Sequence, residues 1–204
     1  MAGAYLTHIL HLMEQLLSYD RQFFKVINNQ WSNPFFDWLM PWLRNSIVWA
    51  PLYLFMLLLI VMNFKKQAFW IIVFGVITVA LTDGISSKLI KPYFGRLRPC
   101  NDPDMMSMVR FLLDARPGNG SFTSSHAANH FGIAMFFYAV LKPYFGKWMM
   151  LFFVWAFFIC YAQVYVGVHY PFDVLGGAVL GCLIGYATAF LVNSRLPENK
   201  LPGS

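Results

Sequence analysis

Long stretches without a charged side chain constrain this chain more than any other feature. They cover 45–64, 67–82, 117–141, 148–172 and 174–194. In hydrocarbon every backbone polar group must be satisfied within the segment, which leaves helices as the natural solution. A crossing helix needs about 20 mostly apolar residues at about 1.5 Å rise each. The runs 45–64, 148–172 and 174–194 meet that length outright. Run 67–82 reaches it by tolerating Asp83, and the apolar part of 117–141 is the shorter 126–141, beginning beside polar residues. Only 12% of the residues are charged and 58% are hydrophobic, against about a quarter charged in a soluble domain. The chain therefore reads as an all-α, polytopic membrane helical bundle with five spans.

Residues 4–30 carry a different pattern. Leu6, Ile9, Leu10, Met13, Leu16 and Leu17 recur at helical spacing, while His8, His11, Glu14 and Asp20 take other positions. Such an amphipathic helix suits the membrane interface better than a crossing; read instead as a sixth span, it brings the bundle to about six helices. The expected organisation is one domain over 1–204, with an interfacial segment at 1–44 and a membrane core at 45–194. No basic leader with an unbroken apolar run opens the chain, so no cleavable signal is read. Cys100, Cys160 and Cys182 show no metal-ligand spacing, and two lie in apolar runs, against a disulfide framework.

The short connections holding Lys65 and Lys66, Lys142 and Lys147, and Arg195 and Lys200 are basic, and alternation of spans puts them on one side. The positive-inside tendency makes that side cytoplasmic. Segment 84–125 and the turn at His169 then face out, towards the periplasm if this is a bacterial inner membrane. The net charge of +6 is best matched to anionic lipid headgroups; nothing in the chain resembles a nucleic-acid-binding domain.

Three polar clusters fall on that outer rim. In "KLIKPYFGRLRPC", residues 88–100, four cations (Lys88, Lys91, Arg96 and Arg98) sit on a turning loop. They are either snorkelling interfacial cations or a phosphate grip, with Arg as a planar fork and Lys as a point charge. In "GNGSFTSSHAANHFGIAMFF", residues 118–137, Ser124 or Ser125 is a natural N-cap, and the first helical turn is a ready anion site. His126 lies in that turn and His130 four residues on, along the same face. In "VGVHYPFDVLGG", residues 166–177, Pro171 suits a first helical position and Asp173 the first turn, with His169 just before. A carboxylate accepting from the imidazole fixes its tautomer and frees the other nitrogen. Ionisable groups at membrane depth mark function rather than packing, and this inventory suits phosphoryl transfer.

These residues resemble a known family. Lys91 to Pro99 reads K-x6-R-P, "TSSH" at 123–126 resembles P-S-G-H, and His169 with Asp173 supplies H-x3-D. In that order, between spans, they resemble the type 2 phosphatidic acid phosphatase superfamily of membrane lipid phosphatases, which shares a helical core with vanadium haloperoxidases. The resemblance implies a six-helix bundle. It implies that Lys91 and Arg98 bind phosphate, with Ser124 and neighbouring Ser125 adding hydrogen bonds. His169 would be the nucleophile forming a phosphohistidine, Asp173 its orienting partner and His126 the proton donor to the leaving oxygen. No metal or other cofactor is implied.

Two positions depart from the pattern. Thr123 and Ser125 replace a Pro and a Gly, which a helix cap tolerates. The third motif normally begins Ser-Arg, where this chain has Ala162 and Gln163. Gln163 donates hydrogen bonds but no charge, leaving Arg96, Lys88 or a protonated His130 to compensate. The leading expectation is a metal-independent hydrolase of a membrane lipid phosphate, with undecaprenyl diphosphate as first choice and phosphatidylglycerol phosphate, phosphatidate or a lipid A phosphate as rivals. Two alternatives stand beside it: a metal-assisted hydrolase using His126, His130, His169 and Asp173, and a non-enzymatic phospholipid-binding or transport relative.

Overall fold

In the computed structural model, which describes residues 1–195 apart from the side chains of 2–4, all regular structure is helical. Lys200 lies outside the described residues. The helices are α1 (Ala2–Lys25), α2 (Pro34–Leu43), α3 (Ala50–Phe64), α4 (Lys66–Gly84), the single turn α5 (Lys91–Phe94), α6 (Ser125–Phe145), α7 (Leu151–Tyr165) and α8 (Pro171–Asn193). Six are long, as expected, while α2 and α5 are short. A π-helical turn, Ile85–Ile90, carries α4 into α5.

Four continuous stretches among the described residues are long and apolar enough to cross a membrane: Ser46–Phe64, Lys66–Asn101, Ser125–Tyr165 and Pro171–Asn193. The sequence suggested five. The difference lies in Ser125–Tyr165, which is a hairpin rather than one rod. Gly146, at φ 60°, turns the chain, and α7 returns along α6, with ring centroids 5.3 Å apart for Phe137–Phe152 and 5.6 Å for Tyr138–Phe153. The protein is an integral membrane protein.

Helices α4, α6 and α8 form the centre. Buried Ile71, Ala134, Phe136, Val140, Leu141 and Ala189 pack between them and α3, and Thr78 bonds Thr188 at 2.6 Å. Helices α6 and α8 approach until backbone meets backbone. A Cβ at Gly181 would land on the carbonyl oxygen of Ala128, and one at Gly185 on that of Gly132. The four-residue glycine spacing is thus a packing seam. The opposite face of α8, with Val179, Leu183, Tyr186 and Phe190 more than 60% exposed, is the face that lipid covers.

The basic connections gather at one end. The Arg195 guanidinium stacks 4.8 Å over Trp70, Phe64 meets Tyr144 at 4.9 Å, and Asn193 donates to the Ala139 carbonyl. The polar clusters lie at the other end. Helix α1 reaches that end through buried Asp20, Phe24 and, just beyond it, Asn28, while Leu6, Ile9, Leu10 and Met13 stay half or more exposed.

Candidate active site

Three chain segments converge on His169. The first follows α5, which the left-handed Gly95 ends, so Arg96 and Arg98 sit on extended chain. The second is 118–124, running into the Ser124 cap of α6, where the Ala127 N–H donates to Ser124 Oγ. The third is the turn between α7 and α8, fixed by Val168 N–H donating to the Gln163 carbonyl and by Gly167 at φ 88°. A Cβ at Gly167 would strike Val109 and the Arg110 carbonyl, so this turn requires glycine.

His169 is 1% exposed. Its Nδ1 faces Asp173 Oδ2 at 3.5 Å, and Arg98 donates to its Nε2 at 2.9 Å. That network assigns the lone pair to Nε2 and the proton to Nδ1. Burial pulls the His169 pKa down to about 4, against the opposing hydrogen bond to Asp173. Asp173 is held by donors on several sides: Ser121 Oγ at 2.5 Å, the Tyr170 N–H at 2.8 Å and Arg96 at 2.7 Å. Arg98 is itself aimed by Asn119, whose carbonyl and Oδ1 accept at 3.0 and 2.6 Å, and by the Val168 carbonyl at 3.1 Å.

The other expected residues divide. Lys91 is 4% exposed, its ammonium has no hydrogen-bond or ion-pair partner among the described residues, and it lines a polar cavity of about 410 Å³ with Arg98, Asn119 and Gly120. His126 stands in the first turn of α6, its ring stacked 6.2 Å from that of His130. Ser125 Oγ turns to Ser86 and Ser87, at 3.0 and 2.9 Å. Arg96 is committed to two carboxylates, Asp173 and Asp20, and so positions the site. His130 donates to the His126 carbonyl at 2.7 Å and packs on Trp155 at 4.9 Å. It lines, with exposed Lys88, a second cavity of about 760 Å³ between α3, α4 and α6. Asp83 accepts from Ser87 and Asn129. Gln163 is fully buried, and its Oε1 accepts from Arg44 Nε at 3.3 Å. No three His, Cys, Asp or Glu side chains among the described residues form a metal-holding group.

Sequence reasoning missed Asn119, Ser121, Asp20 and Arg44. Asn119 and Ser121 lie inside the quoted Gly/Ser loop, but loop geometry alone aims them. Asp20 reads as one acid on an amphipathic helix; folded, it is 0% exposed and accepts from Arg96 and the Phe172 N–H. Its pKa is raised by burial, opposed by the Arg96 hydrogen bond.

A membrane-embedded helical bundle bearing a buried His–Asp pair in a cradle of cations defines an integral membrane phosphatase. The family model of the PAP2 superfamily matches residues 68–196, and the chain belongs to that superfamily. It is 32% identical to a lipid A 4′-phosphatase of Bacteroides thetaiotaomicron, over 89% of this chain and 80% of that one. It is also 32% identical to an undecaprenyl-diphosphatase of Sulfolobus acidocaldarius, over 92% and 85%. The crystal structure of Aquifex aeolicus LpxE superposes with a TM-score of 0.57 at 26% identity, covering 82% of this chain and 92% of that one. A phosphatidylglycerolphosphate phosphatase of Bacillus subtilis gives 0.65 at 20% identity, over 91% and 90%, and shares the fold.

Proposed function

We propose that this phosphatase removes the phosphate of a membrane glycolipid of the lipid A type through a phosphohistidine on His169. The observation that carries the chemistry is the Arg98 N–H on His169 Nε2, which marks Nε2 as the unprotonated nitrogen facing the cations. When a phosphate arrives, Arg98 turns to a non-bridging oxygen and Nε2 attacks phosphorus. The P–O bond to the lipid breaks as a P–N bond forms, and His126 gives its proton to the departing oxygen; the incoming phosphate charge favours protonated His126. His126 then takes a proton from water, whose oxygen attacks phosphorus and breaks the P–N bond, releasing inorganic phosphate. Lys91, Arg98 and the Ser124 hydroxyl hold the equatorial oxygens, where charge is greatest.

The lipid A assignment rests on the 32% identical Bacteroides relative and on a second lipid A 4′-phosphatase, from Porphyromonas gingivalis, 27% identical over 85% of this chain. The larger cavity supports it: Met56, Ile60 and Ile71 suit an acyl chain, and Ser46, Asp83 and Asn129 offer hydrogen bonds to a sugar headgroup. The Sulfolobus relative favours a second reading, an isoprenyl diphosphate as substrate. With the basic turns at the opposite end, the site faces away from the cytoplasm, towards the periplasm in a bacterial inner membrane.

The test is phosphate release in detergent with excess chelator, comparing a lipid A 4′-phosphate, undecaprenyl diphosphate and phosphatidylglycerol phosphate. Turnover persists under chelation, falls at least about 10³-fold in His169→Ala, and leaves a base-stable, acid-labile phosphoryl label on the parent protein. Full turnover in a folded His169→Ala sample would sink the mechanism. A preference for the isoprenyl diphosphate would move the substrate to the second reading.

A further inference from the structure

Gln163 stands where the superfamily pattern places an arginine, and the structure brings a guanidinium to it from elsewhere in the chain. Arg44, at the C-terminal end of α2, puts its Nε on Gln163 Oε1 at 3.3 Å. Helix α2 is held in place by the Asn33 cap, by Tyr165 Oη donating to Asp37 at 2.7 Å and by Trp49 Nε1 donating to the Leu43 carbonyl at 2.8 Å.

Pairing separates Arg44 from most of its neighbours. Of the partly or fully buried arginines at this end, Arg21 bonds Asp102, Arg96 bonds Asp20 and Asp173, and Arg110 bonds Asp37. Of these partly or fully buried arginines, Arg44 and Arg98 have no carboxylate partner among the described residues. A desolvated guanidinium without a counter-charge is costly, and burial lowers the Arg44 pKa. One of five Arg44 N–H donors is used; the other four have no protein partner among the described residues. The Gln163 Nε2 beside it is buried and likewise unpartnered. Arg44 lies within electrostatic reach of His126 and Arg98. Unpaired donors and uncompensated positive charge within reach of His126 and Arg98 are complementary to a phosphate dianion.

We propose that Arg44 is a phosphate-binding residue of this enzyme, held by Gln163, and that the pair does together what one arginine at position 163 would do. The proposal rests on the phosphatase reading above. Arg44 supplies the charge through its terminal nitrogens, and the Gln163 Nε2 adds a hydrogen bond to the same phosphoryl group.

The experiment measures the Kd of orthovanadate, and kcat/KM on a water-soluble phosphomonoester, for the parent, Arg44→Ala and Arg44→Ala/Gln163→Arg, with thermal midpoints alongside. The expected result for Arg44→Ala is at least a tenfold weaker vanadate Kd and at least a thirtyfold lower kcat/KM, with at least tenfold of each regained in the double variant. Vanadate affinity within threefold of the parent in Arg44→Ala overturns the proposal. So does a loss left unrepaired in a double variant of parental stability. If Arg44→Ala does not fold, phenylglyoxal labelling of the parent decides: vanadate protecting Arg44 at least fivefold supports the assignment, and equal labelling overturns it. His169→Ala, run in parallel, separates the two readings. Its retained turnover would refute the phosphohistidine, while vanadate affinity judges Arg44 on its own. A parent that neither binds vanadate nor releases phosphate overturns both.

Discussion

At the scale of single residues, the fold sets the state of His169. Burial disfavours the imidazolium, and Asp173 only partly opposes it, so the ring stays neutral with its pKa near 4 instead of about 6.5. Because the folded value is depressed, the stability this ring contributes is complete above about pH 6.5 and is lost as pH falls from there through about 4. In 15N-histidine spectra of the detergent-solubilised protein, His169 should remain neutral at pH 5.5, and Asp173→Asn should move its midpoint lower still. A midpoint near 6.5 would contradict this assignment. His169, Asp173, Lys91 and Arg98 were legible in the sequence because their types and spacings are themselves chemical: H-x3-D places a carboxylate one turn from an imidazole at a helix start. Ser121 and Asn119 were not, because serine and asparagine in a glycine-rich loop are equally suited to turns, and only the folded loop aims them at Asp173 and Arg98.

At the scale of helices, the seam between α6 and α8 sets the position of two of the three motifs. The Ser124 N–H donates to the Asp173 carbonyl at 2.9 Å, so the cap of α6 is bonded to the first turn of α8 at the site. Close approach further along the same helices, at Gly177, Gly181 and Gly185, keeps them in that register. Gly181→Leu forces the backbones apart and should cost about 1–3 kcal/mol or more, read as a lower thermal midpoint in detergent together with lost turnover. Tyr186→Ala, on the lipid-covered face of α8, should leave both close to parental. The four-residue glycine spacing suits a close helix–helix seam. It could not announce the partner helix, since small residues at four-residue intervals suit any close neighbour.

At the scale of the whole molecule, an apolar cavity between α3, α4 and α6 is lined by His130, and a polar one under the loop before α6 is lined by Lys91 and Arg98. Val76 borders the apolar cavity and is 65% exposed, so Val76→Trp should narrow lipid entry without disturbing the core. The expected outcome is about a tenfold lower kcat/KM on a long-chain lipid phosphate and an unchanged value on a water-soluble phosphomonoester. Equal effects on both would argue against the cavity as the lipid's path. The sequence by itself determined the membrane bundle, the clustering of the three motifs at one end and the placing of His169 one turn from Asp173. These follow from short-range quantities: the length of an uncharged run, the spacing of polar residues along one helix, the charge of a connection. Only the tertiary structure decided that Arg96 is bound to Asp20 and Asp173, and that Arg44 meets Gln163 from 119 positions away. Each depends on which helices pack together, and no local pattern encodes where a distant side chain arrives.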